Sequence, residues 1–275
     1  MYQPVIPLTG NGGWKFLQST YDRQLHSLSN SPQVKADRSY LVEKLSEPVT
    51  KEAFLNDKRL MRVALTAFDL GGEAWKRGFI DKVLKEVSDP ESTFLARLNN
   101  PKYTAFANAF KPVNGTITIA PEALDQIAAE FNKSTFETAV GNVDDSMRLA
   151  LNYQSDIKGL MGNGSSETAI LYRLLGNVPV RTVLETSLNL PTDIRKLPIE
   201  KQAEILKTGI QKQLGISDVK DLADPDQVDR LIKRFHALES VRNGAANYSP
   251  AANALTLLNG GIGGQGGINL LLSGL

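Results

Sequence analysis

The sequence has no cysteine and only two histidines, His26 and His236. Without cysteine there can be no disulfide, thiolate metal site or cysteine nucleophile. Neither histidine has a ligand partner at helical spacing, so no metal site is expected. His236 follows the apolar Phe235 near a predicted helix end, where the helix dipole suits a histidine. His26 lies beside the apolar stripe of the first predicted helix. Acid–base partners are missing near both, so no catalytic role is expected of either. No serine stands in a G-x-S-x-G elbow. Asp144 and Asp145 are adjacent, so on a helix they point apart and suit a solvated face better than a carboxylate pair. The chain has only two tryptophans, Trp14 and Trp75. Both head apolar stripes and read as core anchors.

Charge of one sign is missing as well. Lys and Arg number 31 against 30 Asp and Glu, for a net charge of +1. The basic residues are interleaved with acidic ones along helical stretches, so no nucleic-acid or acidic-membrane surface is expected. No apolar run approaches the roughly 20 residues of a membrane span. The opening "MYQPVIPLTGNGGWKF" has no basic residue before Lys15, and Pro4 and Pro7 interrupt its apolar stretch. It does not read as a cleavable signal peptide.

What the sequence does contain is helical periodicity. Trp14, Leu17, Tyr21, Leu25 and Leu28 recur at spacings of three and four, and a second helix is predicted between Ser31-Pro32 and Pro48. Leu60, Val63, Ala64, Ala67 and Phe68 share a face that ends at Gly71-Gly72, and Phe79, Ile80, Val83, Leu84 and Val87 make a further stripe. Thr116 to Ile119 is the one strand-like piece, enough for a short ribbon at most. The sequon at Asn114 reads as a chance match. From Phe136 through Val140, Val143, Met147, Ala150 and Ile157 to Met161 runs a heptad-like seam, interrupted at Gln154. A coiled coil would produce it; Gly141, Gly159 and Gln154 favour a long helix packed across its own bundle.

The second half echoes the first. "RVALTAFDL" lies over "TVLETSLNL" at an offset of 120, with Val63 over Val183, Thr66 over Thr186 and Leu70 over Leu190. Each copy ends in a breaker, continues into an amphipathic helix, and closes on a capped proline start, "NPKYTAFANAF" against "DPDQVDRLIKRF". The expected fold is all-α: an elongated multi-helix bundle with a duplicated three-helix unit. Similar packing without duplication remains open. The expected organisation is a flexible arm over 1–13, a first helical half over 14–112 and a connector with a short helix over 113–133. A long helix and second half follow over 134–240, then a glycine-rich apolar tail over 241–275.

In that tail Gly261, Gly263 and Gly266 spell G-x-G-x-x-G. A dinucleotide loop needs a preceding strand, a following helix and an acidic residue about 20 positions on. Too few residues follow Gly266, so no cofactor is expected. The tail's apolar residues, Leu255, Leu257, Leu258, Ile268, Leu270, Leu271 and Leu272, are the candidate partner-binding positions. Such a segment suits docking on a partner or back onto its own body.

Several stretches carry a resemblance. "GWKFLQSTYDRQ", "FLNDKRLMRVALTAFDL", "FIDKVLKEVSDPESTFLARLNNPKYTAFANAF", "LYRLLGNVPVRTVLETSLNLP" and "DPDQVDRLIKRF" resemble a domain-of-unknown-function family found mainly in alphaproteobacteria and often encoded among flagellar genes. The likeness runs from about Gly13 to Phe235. It brings no catalytic residues. It implies a bacterial protein with a flagellum-associated role; the missing catalytic constellations make a non-enzymatic protein the expectation, and the central rather than terminal heptad stretch favours the cytoplasm or the basal body. Such a protein would work by protein–protein contact with flagellar components, and a homo-oligomer is compatible with it. The alternatives are a small-molecule-binding or enzymatic bundle, and a membrane-peripheral protein anchored by its tail.

Overall fold

The computed structural model describes the backbone of residues 2–247 other than 99 and 163, and side chains only as far as Arg242. Among these residues the chain is an all-α bundle with one small sheet. The first part comprises α1 (Gly10–Ser29), α2 (Pro32–Leu45), β1 (Val49–Thr50), α3 (Lys51–Asn56), α4 (Lys58–Thr66), α5 (Arg77–Glu86), α6 (Phe94–Leu98), α7 (Pro101–Ala109) and β2 (Thr116–Ile117). Then come α8 (Pro121–Val143), α9 (Asp145–Met161), α10 (Glu167–Gly176), α11 (Val178–Ser187), α12 (Ile199–Leu214) and α13 (Pro225–Asn247). The expected ribbon is present but shorter than the alternation suggested: Val49 pairs with Ile117 and Thr50 with Thr116, antiparallel.

Helix starts follow the polar residues that can cap free amides. Thr50 accepts from Ala53 N, Asp57 from Leu60 N, Asn100 from Lys102 N, Ser166 from Ala169 N and Asn177 from Val180 N. The same local geometry recurs 120 residues apart. Asp57 caps α4 as Asn177 caps α11. Beyond each helix a single residue turns left-handed, Asp69 at φ 56° and Asn189 at φ 50°. The next amide reaches back five residues, Leu70 N to Leu65 O and Leu190 N to Glu185 O, both at 2.9 Å. Asp and Asn tolerate that backbone better than other side chains that carry a Cβ.

The heptad seam is neither one long helix nor a coiled coil. It lies on two helices that meet at Asp144, which is extended and whose Oδ1 accepts from the amides of Ser146 at 2.9 Å and Met147 at 3.4 Å. A carboxylate that caps the following turn competes with continuation of the preceding helix. The chain doubles back, α8 packs on α9, and Phe136, Val140, Met147, Ala150 and Ile157 are all buried between them and their neighbours. Asp144 and Asp145 are therefore at a helix start rather than in mid-helix, and Asp145 is exposed, as a solvated position should be. The expected boundary at 133/134 falls inside α8. Helix α9 lies at the centre of the bundle, packed against α1, α8, α10, α11 and α13.

Three further expectations change. Trp14 is buried as expected, at 4% exposure, but Trp75 is 78% exposed. It sits in the turn between a 3-10 turn at Gly71–Glu73 and the start of α5 at Arg77, so helical spacing does not carry it inward. His236 is not near a helix end: α13 continues to Asn247, past the expected tail boundary at 241. The arm is held down at one point. Val5 donates to Gln24 Oε1 at 2.7 Å and accepts from its Nε2 at 3.1 Å, Pro4 is buried, and α1 begins already at Gly10.

Candidate functional site

A polar cluster lies where α4, α7, α8, α9 and α11 converge. Asp69 enters it from the left-handed turn after α4, a position that turns its side chain out of the helix line. Lys102 enters from the first turn of α7. A cation there opposes the positive helix end, so it needs carboxylate company. It has two: Nζ lies 3.0 Å from Asp69 Oδ2 and 3.6 Å from Asp156 Oδ2. Asp69 also accepts from Ser134 Oγ, and Asp156 accepts from Asn177 Nδ2 at 2.9 Å. The capping residue of α11 thus serves two helices at once, its Oδ1 on its own helix and its Nδ2 on α9.

Spacing along the helices gathers the rest. Glu130, Ser134 and Glu137 lie at steps of four and three on α8, and Asn152 and Asp156 at a step of four on α9. Glu137 is 4% exposed and its Oε2 accepts from Asn152 Nδ2 at 3.0 Å. Two pockets, of about 290 Å³ and 400 Å³, open around this cluster and share Lys133, Glu137 and Ser155. The first is bounded by Asp69, Lys102, Asp156 and Asn177, with Phe68 and Leu160 as apolar wall. The second is bounded by Tyr21, Asp22 and Gln154.

The charges tune one another. Burial pushes the Asp69 carboxyl up, but Lys102 and the Ser134 hydroxyl more than offset it and hold it below the ordinary range. Burial pulls Lys102 down, and Asp156 and Asp69 outweigh that and hold it above the usual value. Glu137 goes the other way. Burial raises it, Asp69 and Asp156 add to the rise, Lys133 and Lys102 oppose, and it reaches about 7. The Tyr21 phenol is raised by burial and by Glu137. A carboxyl poised near neutrality in a cleft is the kind of group that binding sites employ.

Removing Lys102 tests this electrostatic picture. Lys102→Ala is expected to lower stability by about 2–3 kcal/mol at pH 8, below the usual range for a fully buried pair because the groups are partly solvated. Three carboxylates then face one another without their shared cation. Their folded-state affinities for protons rise, so the loss must shrink as pH falls towards 5. Urea unfolding at the two pH values measures it; an equal loss at both would rule the picture out.

The sequence pointed to none of Asp69, Lys102, Ser134, Glu137, Asp156 or Asn177. The available signals were Gln154, which broke the apolar seam and lines the second pocket, and Asp69, which broke the helix at the repeat position of Asn189. The tail positions Leu255, Leu257, Leu258, Ile268, Leu270, Leu271 and Leu272, and the glycines at 261, 263 and 266, lie outside the described residues. Among the described residues no group of three or more His, Asp or Glu side chains could hold a metal ion, and no helix is long and apolar enough to cross a membrane.

The fold and site define an all-α bundle with an acidic, partly buried cleft between its central helices. The chain belongs to DUF1217, a family of proteins of unknown function, which it matches over residues 40–228. The "GWKFLQSTYDRQ" start lies before that match. A crystal structure of a protein from Agrobacterium tumefaciens shares the fold, with a TM-score of 0.70 at 23% identity, covering 88% of this chain and 99% of that one. No functionally curated protein matches the chain.

Proposed function

We propose that this chain is a non-enzymatic protein that acts by protein–protein contact in the assembly, structure or regulation of the bacterial flagellum. The family resemblance, with its flagellar genomic company, supplies the setting. The observation that carries the contact reading is Trp75: a tryptophan 78% exposed, with Lys76 Nζ 5.1 Å from its ring centroid, at a turn on the surface. Large aromatics with a polar handle are the residues that most often anchor interfaces. The partners on this reading are flagellar components, and the place of action is the cytoplasm or the basal body. The paired caps and left-handed turns 120 residues apart support a duplicated helical unit as its scaffold.

Deleting the gene and scoring swimming and filament assembly tests the role. The deletion strain should swim poorly and regain motility with the intact gene but not with Trp75→Ala. Normal flagella in the deletion strain would refute it. The membrane-peripheral reading, which rests on the tail, predicts liposome flotation that disappears when residues 250–275 are removed.

A further inference from the structure

Glu137 is the common wall of the two pockets, and half of its carboxylate is unused. Oε2 takes the Asn152 amide, whereas Oε1 accepts no hydrogen bond from any described residue, although the side chain is 4% exposed. The other groups facing it are already committed. Asp69 and Asp156 hold Lys102, with Ser134 and Asn177 in support, and Lys133 on its own helix donates to Ser155 Oγ at 2.7 Å. Helix α1 adds Asp22 and the Tyr21 phenol, and Glu130 stands one turn back from Ser134 on α8. Around the joined pockets five carboxylates, Asp22, Asp69, Glu130, Glu137 and Asp156, face two ammonium groups, Lys102 and Lys133.

We propose that the cleft around Glu137 binds an organic cation, an alkylammonium or alkylguanidinium group whose N–H donors satisfy Oε1 and whose stem lies along Phe68, Ala105 and Leu160. An anion would have to displace the Asp69 and Asp156 carboxylates from Lys102, and at Lys133 it would face the surrounding carboxylates. A hard divalent ion needs six or more oxygens in one shell, and the described residues offer no such group. An amine on an alkyl stem needs one or two well-placed acceptors and an apolar wall, and both are present. The proposal is independent of any flagellar role.

Binding is linked to protons. With Glu137 near neutrality, about half of the empty sites carry its proton at pH 7, and a bound cation expels it to the buffer. Affinity therefore rises from pH 5 to pH 7, by up to about tenfold per pH unit, and levels off above.

The test is calorimetric titration of the full chain with 1,5-diaminopentane, n-butylamine, ethylguanidine and Nα-acetyl-lysine N-methylamide, with 1-butanol as neutral control. Each runs in two buffers of different ionisation enthalpy. At least one cation should bind with Kd on the order of 1 mM or tighter, and butanol should not. Glu137→Gln should weaken binding about tenfold or more and remove the buffer dependence. Lys133→Gln, which takes away a competing charge, should tighten it. A preference for the diamine assigns the site to a free polyamine, and a preference for the acetyl-lysine amide assigns it to a lysine side chain of a protein partner. No binding of any cation at about 10 mM, or unchanged binding by a folded Glu137→Gln, overturns the proposal. If Glu137→Gln does not fold by circular dichroism, the Lys133→Gln result decides, and failure to tighten overturns it.

Discussion

Phe110→Ala is expected to cost about 3–5 kcal/mol, a large part of the total stability of an ordinary domain. Phe110 is fully buried at the end of α7, where it stacks on Phe106 at 4.9 Å, faces Phe54 at 5.1 Å and meets Phe68 edge-on at 6.0 Å. Truncation removes the transfer energy of the ring and three aromatic contacts. It also leaves a cavity walled by Phe54 on α3, Phe68 just beyond α4 and Phe106 on α7 itself, all packed in or against the core, so collapse into the space is limited. Trp75→Ala is the contrast. It deletes a larger side chain, but one that stands in solvent, and should change stability by less than about 0.5 kcal/mol. Urea unfolding of both variants gives the comparison. A loss below about 1 kcal/mol for Phe110→Ala would mean that this corner is loosely packed.

Acidification should destabilise the protein through His236. The imidazole is 1% exposed, packed against Trp14 at 5.7 Å between ring centroids and beside Phe235, and neither ring nitrogen has a hydrogen-bond partner among the described residues. Burial lowers its pKa from 6.5 to about 4, against a weaker opposing pull from Asp144. The sign follows from linkage. Between these values the unfolded chain binds the proton and the folded chain does not, so stability falls as pH drops from about 6.5 to about 4 and changes no further below that. The full effect is up to roughly 3 kcal/mol, because each tenfold difference in proton affinity between the two states is worth about 1.4 kcal/mol. Glu137 works in the opposite direction. Its pKa is raised, so the folded form binds the extra proton and stability from this group grows as pH falls from about 7 towards the ordinary carboxyl range. His236→Leu isolates the first effect. The variant should lose less stability than the parent between pH 6.5 and pH 4. Parallel curves for the two proteins would place the acid sensitivity elsewhere.

The Trp75 and His236 outcomes mark the limit of periodicity as a guide. Spacing identifies a buried face only where the helix exists. Residues 73–76 match the pattern of α5 but lie before its first turn, so Trp75 is exposed. Residues 236–247 lack a clean stripe but continue α13, so His236 is interior. The seam from Phe136 to Met161 is a subtler case. Its apolar positions are buried as expected at Phe136, Val140, Met147, Ala150 and Ile157, yet they belong to two antiparallel helices. A heptad count takes no account of a capping carboxylate in the middle, and Asp144 reverses the chain.

The sequence by itself determined the class of this protein. Its three- and four-residue apolar spacing and its proline and Asx helix starts point to an all-α bundle, because those are local properties of the backbone and side chains. It also showed that the two copies stop at the same step, with Gly71-Gly72 in one and Pro191 in the other; that Asp69 and Asn189 make the left-handed turns came only from the structure. The cleft was decided by tertiary structure alone. Asp69, Lys102, Glu137, Asp156 and Asn177 come from five separate segments, each with an ordinary local role as a turn, helix start or helix face. Only the packing of α8 and α9 against α4, α7 and α11 gathers these groups into one cleft and displaces part of the water that would have screened the charged ones.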